Sequence, residues 1–138
     1  MKQQELFDTF RDRLPRRPLA TDDFTAGVYH LPAIQAIRSK YLQHNRPMLT
    51  AWIVVDVDRP GGGWDWYDLD GPAPNIVVEN PENLHAHLFY GLEAPVLKDS
   101  LNARLKPLRY AAAVEYGIVS KLEADQGYGG LLSKNPLY

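Results

Sequence analysis

Apolar positions Leu6, Phe7, Phe10 and Leu14 recur at helical spacing from Gln3 to Leu14 and stop before Pro15. The spacing predicts a short amphipathic helix that the proline ends. RLPRRP, from Arg13 to Pro18, gathers basic residues between prolines and reads as a solvated extended linker in preference to a phosphate clamp. TDDF, from Thr21, offers turn or capping chemistry, and Ile34, Ile37, Tyr41 and Leu42 predict a second helix closed by Asn45 to Pro47. The pattern then switches to strands. Trp52 to Asp58 is an apolar run with Val55 and Val57 facing a core, and Pro60 to Gly63 forces a turn into a loop rich in Gly, Pro, Asp and aromatics that lasts to Pro74. Ile76 to Glu79 reads as a short strand, Asn80 to Asn83 as a turn, and His85 to Leu92 as a further strand. Leu108 to Leu122 returns to helical periodicity, with Pro107 suited to a first turn, and GYGGLLSKNP closes the chain as glycine-rich strand and loop.

These elements predict an α+β fold. At 138 residues and 45% apolar content the chain is long enough for one domain with a proper core and short for two. MKQQELFDTF has neither the apolar stretch nor the small-residue cleavage site of a secretory signal, and no run approaches a membrane span, so no membrane partner is expected. Without cysteine there is no disulfide framework, thiolate zinc site or cysteine nucleophile. Any metal must therefore be held by carboxylates and histidines. A formal net charge of -2 argues against a broad basic face for gripping nucleic acid, but not against an enzyme of nucleotides, whose sites are themselves acidic.

The candidate chemistry follows from the period-two alternation of strands. Asp56 and Asp58 are two residues apart and project together, and such a pair wants a cation, since burying like charges unpaired is costly. A hard divalent ion takes oxygen ligands and bridges phosphate oxygens. His85 and His87 likewise share a strand face. If their strand runs antiparallel beside Trp52 to Asp58, its beginning meets the other's end and the four polar groups converge. A lone HxH is more often structural, and it gains weight beside DxD. Asp125 could complete a three-carboxylate site or simply serve a turn, and Glu115 on the predicted helix competes with it. Lys134 in SKNP could reach a triphosphate as a mobile point charge, although an exposed lysine in a turn usually does not. Trp64, Trp66 and Tyr67 could stack bases, but stapling their loop is the safer reading. P-loop, GxSxG and Rossmann glycine motifs are missing.

RLPRRP, TDD, YLQHNRP, AWIVVDVDRPG, NPENLHAHLFYGLEAPV and ADQGYGGLLSKNP, in that order, make the chain resemble the replication initiator primases of colicin E-type plasmids, within the archaeo-eukaryotic primase superfamily. The resemblance implies a primase fold: a small RRM-like mixed or antiparallel sheet flanked by helices, with an N-terminal αβ elaboration. It implies that residues 1–138 are a single catalytic domain of a longer initiator, lacking a C-terminal origin-binding region. Asp56, Asp58 and Asp125 would hold two Mg2+ or Mn2+ ions. His87, or alternatively His85, would contact the nucleotide's phosphates, with Lys134 and Arg59 neutralising charge. The implied partners are nucleoside triphosphates, single-stranded or unwound plasmid origin DNA, and a host DNA polymerase that extends the primer, in the cytoplasm of the plasmid's bacterial host. The family carries glycine before HAH, where this chain has Leu84. Two other readings remain: a metal-dependent nuclease or phosphohydrolase, and a non-catalytic DNA-binding or assembly module of an initiator.

Overall fold

A computed structural model describes residues 2–99 and 101–138. In chain order it contains α1 (Gln3–Asp12), β1 (Leu19–Thr21), a 3-10 turn (Phe24–Ala26), β2 (Tyr29–His30), α2 (Ala33–Ala36), β3 (Tyr41–Gln43), β4 (Leu49–Val57), α3 (Asp65–Asp68), β5 (Ile76–Glu79), β6 (Ala86–Leu97), α4 (Leu105–Leu122) and β7 (Leu132–Lys134). The chain is α+β, with two antiparallel sheets and helices, as the pattern predicts. It divides into two compact units. One takes in the residues up to Pro47 and returns for Leu131–Tyr138, and the other is Met48–Gly130.

The first unit is built on the sheet β2-β1-β3-β7. The helix predicted through Tyr41 and Leu42 is not formed: α2 ends at Ala36, and Tyr41–Gln43 is a strand. The physical reason is tertiary. β3 is an interior strand, pairing Ala20 with Leu42 on one side and Leu42 with Ser133 on the other, and two ladders outweigh a weak local helical preference. The proline-bounded RLPRRP is also less solvated than expected, since Leu14, Pro15 and Pro18 are buried and only Arg16 and Arg17 are exposed. The TDDF capping expectation holds, with the Asp23 carboxylate accepting from the Thr25 amide at the start of the 3-10 turn.

The second unit is the sheet β4-β6-β5 with α4 packed on one face. β4 and β6 are antiparallel in the register Ile53↔Tyr90, Val55↔Leu88, Asp56↔His87 and Val57↔Ala86. Period-two alternation then sends Ile53, Val55 and Val57 with Ala86, Leu88 and Tyr90 to the face where Ile118, Leu122 and Ala124 lie. Trp52 and Phe89 are buried on the opposite face, ring edge to ring face at 6.2 Å. Gly91 is required opposite Trp52, because a Cβ there would lie 2.8 Å from the indole. The loop after β4 is partly ordered into α3. Its Trp66 indole donates to the Gly63 carbonyl and packs on the core, whereas Trp64 and Tyr67 are exposed, so only one of the three aromatics staples the loop.

Candidate metal centre

The site is assembled at the end of β4 and the start of β6. Apolar side chains lock the register of these strands from Trp52 to Val57, beyond the shift between Thr50 and Trp52, and the polar pair Asp56↔His87 follows from that register with no choice of its own. His87 Nε2 stands 3.3 Å from Asp56 Oδ1, and His85 Nδ1 stands 3.5 Å from Asp58 Oδ1. Each carboxylate of the DxD pair thus has its own imidazole. Side-chain exposure rises from 7% for His87 and 14% for Asp56 to 29% for His85 and 54% for Asp58, so the site grades from the protein interior to solvent.

Asp125 arrives from the far end of α4. That helix ends in a Schellman turn, with Glu123 left-handed at φ 52° and the Ala124 amide donating to the Val119 carbonyl. The next amide, that of Asp125, donates to the Asp56 carbonyl at 2.8 Å and fastens the turn to β4. The Asp125 carboxylate also accepts from the Gly127 amide, holding the turn that carries Tyr128. One carboxylate oxygen each from Asp56, Asp58 and Asp125 lie within 4.8 Å of one another. Glu115 is outside this cluster.

Such a donor set suits a divalent cation. All three ligand atoms are carboxylate oxygens, the preference of a hard ion, and the cluster repels itself. Partial burial, then the neighbouring charge of Asp56 and, further down, that of Asp125, raise the Asp58 carboxyl above its ordinary value. A cation would relieve that repulsion.

Arg59 and Tyr128 complete the surroundings. The resemblance puts Arg59 beside the phosphates, but its guanidinium donates to the Asp65 carboxylate at 2.7 Å and to the Leu122 and Glu123 carbonyls at 2.8 and 3.0 Å. It is a side-chain cap on the last turn of α4, where a cation also suits the helix dipole. Tyr128 has no counterpart among the predicted site residues. Its ring lies 5.0 Å from that of His87, and burial, aided by the charges of Asp56 and Glu115, raises its phenol well above the ordinary tyrosine range. The glycines around it in QGYGG are its only sequence signal. Lys134 belongs to the first unit and is not in a turn: it ends β7, opposite Tyr41. Leu84, the departure before HAH, has φ 60°, the left-handed conformation in which glycine is at ease and leucine is strained.

This α+β unit brings three carboxylates and two imidazoles to one end of a strand pair, an acidic donor set that could hold a metal ion. The chain belongs to the Replicase family, whose model matches residues 13–138. It is therefore a replication protein. No curated protein and no solved structure matches it. Among the described residues, no helix is long and apolar enough to cross a membrane.

Proposed function

We propose that the chain is the catalytic domain of a plasmid replication initiator primase, which makes a short RNA primer on unwound origin DNA by metal-dependent, DNA-templated nucleotidyl transfer. The observation that carries this reading is the convergence of Asp56, Asp58 and Asp125 within 4.8 Å, in a chain of the Replicase family. Two Mg2+ or Mn2+ ions held by these carboxylates would supply the Lewis acidity that in-line displacement at an α-phosphate needs. The chain's own residues bind and orient. Asp56 is fixed by its strand register and Asp125 by the hydrogen bond its backbone N–H donates to the Asp56 carbonyl, so these two carboxylates are preorganised. Asp58 is the more open member of the DxD pair and completes the set on binding. With a cation held by Asp56 and Asp58, the ring nitrogens of His87 and His85 would be the donors to phosphate oxygens. Arg59 acts at a distance by holding the end of α4 from which Asp125 is hung. The partners on this reading are nucleoside triphosphates, single-stranded or unwound origin DNA, and the host polymerase that extends the primer in the bacterial cytoplasm.

Calorimetry with Mn2+ and ATP on the wild-type chain and on Asp56→Ala/Asp58→Ala tests the site. Metal-dependent nucleotide binding should be present in the first and lost in the second. Ribonucleotide incorporation on single-stranded origin DNA tests the reaction. Strand cleavage without incorporation would replace the primase with a nuclease that activates water at the same carboxylates.

A further inference from the structure

Beside the carboxylates, α4 and the QGY turn enclose a cleft of about 340 Å³ that uses Asp125 as one wall. Its other walls include Glu115, Tyr116 and Ser120 from α4, and Gln126 and Tyr128 from the turn. The composition differs from that of the metal centre. It offers two carboxylates, an amide, hydroxyls and two aromatic rings, which suits a sugar and a base better than a phosphate. Its volume is at the small end of the ~300–1,000 Å³ usual for small-molecule pockets. Because Asp125 lines both places, the cleft adjoins the carboxylate cluster.

We propose that this cleft receives the nucleoside of the incoming nucleotide, with Glu115 accepting hydrogen bonds from the ribose hydroxyls and Tyr116 stacking on the base, so that Glu115 selects ribonucleotides over deoxyribonucleotides. The proposal rests on the nucleotidyl-transfer reading of the metal centre and goes beyond it by naming the residues that read the sugar. A carboxylate pairs well with a vicinal diol, whose two O–H groups it accepts, and loses a partner when the 2'-hydroxyl is missing. Tyr116 is 74% exposed and spends none of its ring on the core, so a base can cover it. Glu115 stands one residue before Tyr116 on the same helix, and its charge is felt at the Tyr128 phenol on the opposite wall.

The test separates the sugar from the phosphates. Wild-type chain, Glu115→Gln and Tyr116→Ala are titrated with Mn2+ alone, then in Mn2+ with tripolyphosphate, ATP and dATP. Expected is a wild-type preference for ATP over dATP on the order of 10-fold, modest because Glu115 is exposed. Glu115→Gln should abolish that preference, and Tyr116→Ala should weaken ATP and dATP alike by about 5-fold or more. Neither substitution should alter Mn2+ or tripolyphosphate binding. If both variants bind ATP and dATP as the wild type does, the cleft proposal is wrong while the metal centre stands. If wild-type chain binds neither Mn2+ nor tripolyphosphate, the metal centre itself is wrong and the cleft proposal goes with it.

Discussion

Each unit buries a histidine, and the two histidines do different work. In the first unit His44 lies with its Nδ1 3.0 Å from the Ser133 hydroxyl, an uncharged partner brought by the returning strand β7. In the second, His87 faces the Asp56 carboxylate and packs against Tyr128. Their surroundings differ in the same way. The first unit is tied by side chains reaching backbone far along the chain: Asn135 to the carbonyls of Ile37 and Ser39, Gln43 to the Leu19 amide, Arg46 to the carbonyls of Leu14 and Asp12. The second unit has such a tie too, from Arg59 to the end of α4, but packs that helix on an apolar sheet face and carries self-repelling carboxylates at its end. Residue type alone does not mark a site. A buried histidine beside a hydroxyl completes a hydrogen-bond network, whereas one beside a carboxylate in an acidic cluster is a candidate for chemistry.

The largest expected effect is on activity. Asp56→Asn and Asp58→Asn should each lower primer synthesis by more than about 100-fold, since even partners outside the ligand shell are worth 10–100-fold at metal sites, with circular dichroism unchanged. Near wild-type synthesis in either variant would break the contrast between the units. Next comes the histidine pair. His44→Ala should cost about 1–3 kcal/mol in denaturant unfolding by stranding its network, and His87→Ala should chiefly weaken Mn2+ and ATP binding. The reverse pattern would exchange their roles. Arg59→Ala should cost a similar ~1–3 kcal/mol through its charged hydrogen bonds and loosen Asp125, so that Mn2+ affinity falls while Asp65→Ala, which spares the carbonyl contacts, leaves it nearer wild type.

A pH effect sharpens the comparison further. The folded chain holds the Asp58 proton more tightly than an unfolded chain does, so the stability Asp58 contributes is full below the ordinary 3.8 and is lost as pH rises through the raised value. At neutral pH Asp58→Asn should therefore stabilise the metal-free protein slightly, by well under ~1 kcal/mol because the group is half exposed. Proton and cation compete for the same oxygen, so Mn2+ affinity should drop as pH falls through the raised Asp58 value. A Mn2+ affinity flat across that value would remove Asp58 from the ligand set. At Leu84→Gly, relief of left-handed strain, about 1–2 kcal/mol, is partly offset by the greater freedom of unfolded glycine, about 0.4–1 kcal/mol, leaving a modest rise in thermal midpoint.

Much of the second unit is legible in the chain, for a local reason. Alternation over Trp52 to Asp58 and over His85 to Leu92 decides which side chains share a face, and long apolar strands leave little choice of register, so Asp56 groups with Asp58 and His85 with His87 on side-chain period alone. The first unit is less legible. Tyr41 and Leu42 fit a helical stripe and became a strand because β1 and β7 flank them, and β7 lies at the far end of the chain.

By itself, then, the amino-acid sequence determined the α+β class, the DxD and HxH pairs and the strands that carry them, because period and burial are properties of neighbouring residues. The resemblance already pointed to Asp125, and the tertiary structure places it, not Glu115, among the carboxylates; the tertiary structure alone decided that Arg59 caps α4, that Tyr128 packs on His87, and that the C-terminal strand returns to the first unit. Each of these depends on which distant segments meet. A helix end docked on β4 by one backbone hydrogen bond is a fact of long-range packing, and no local pattern of side chains encodes where that end will land.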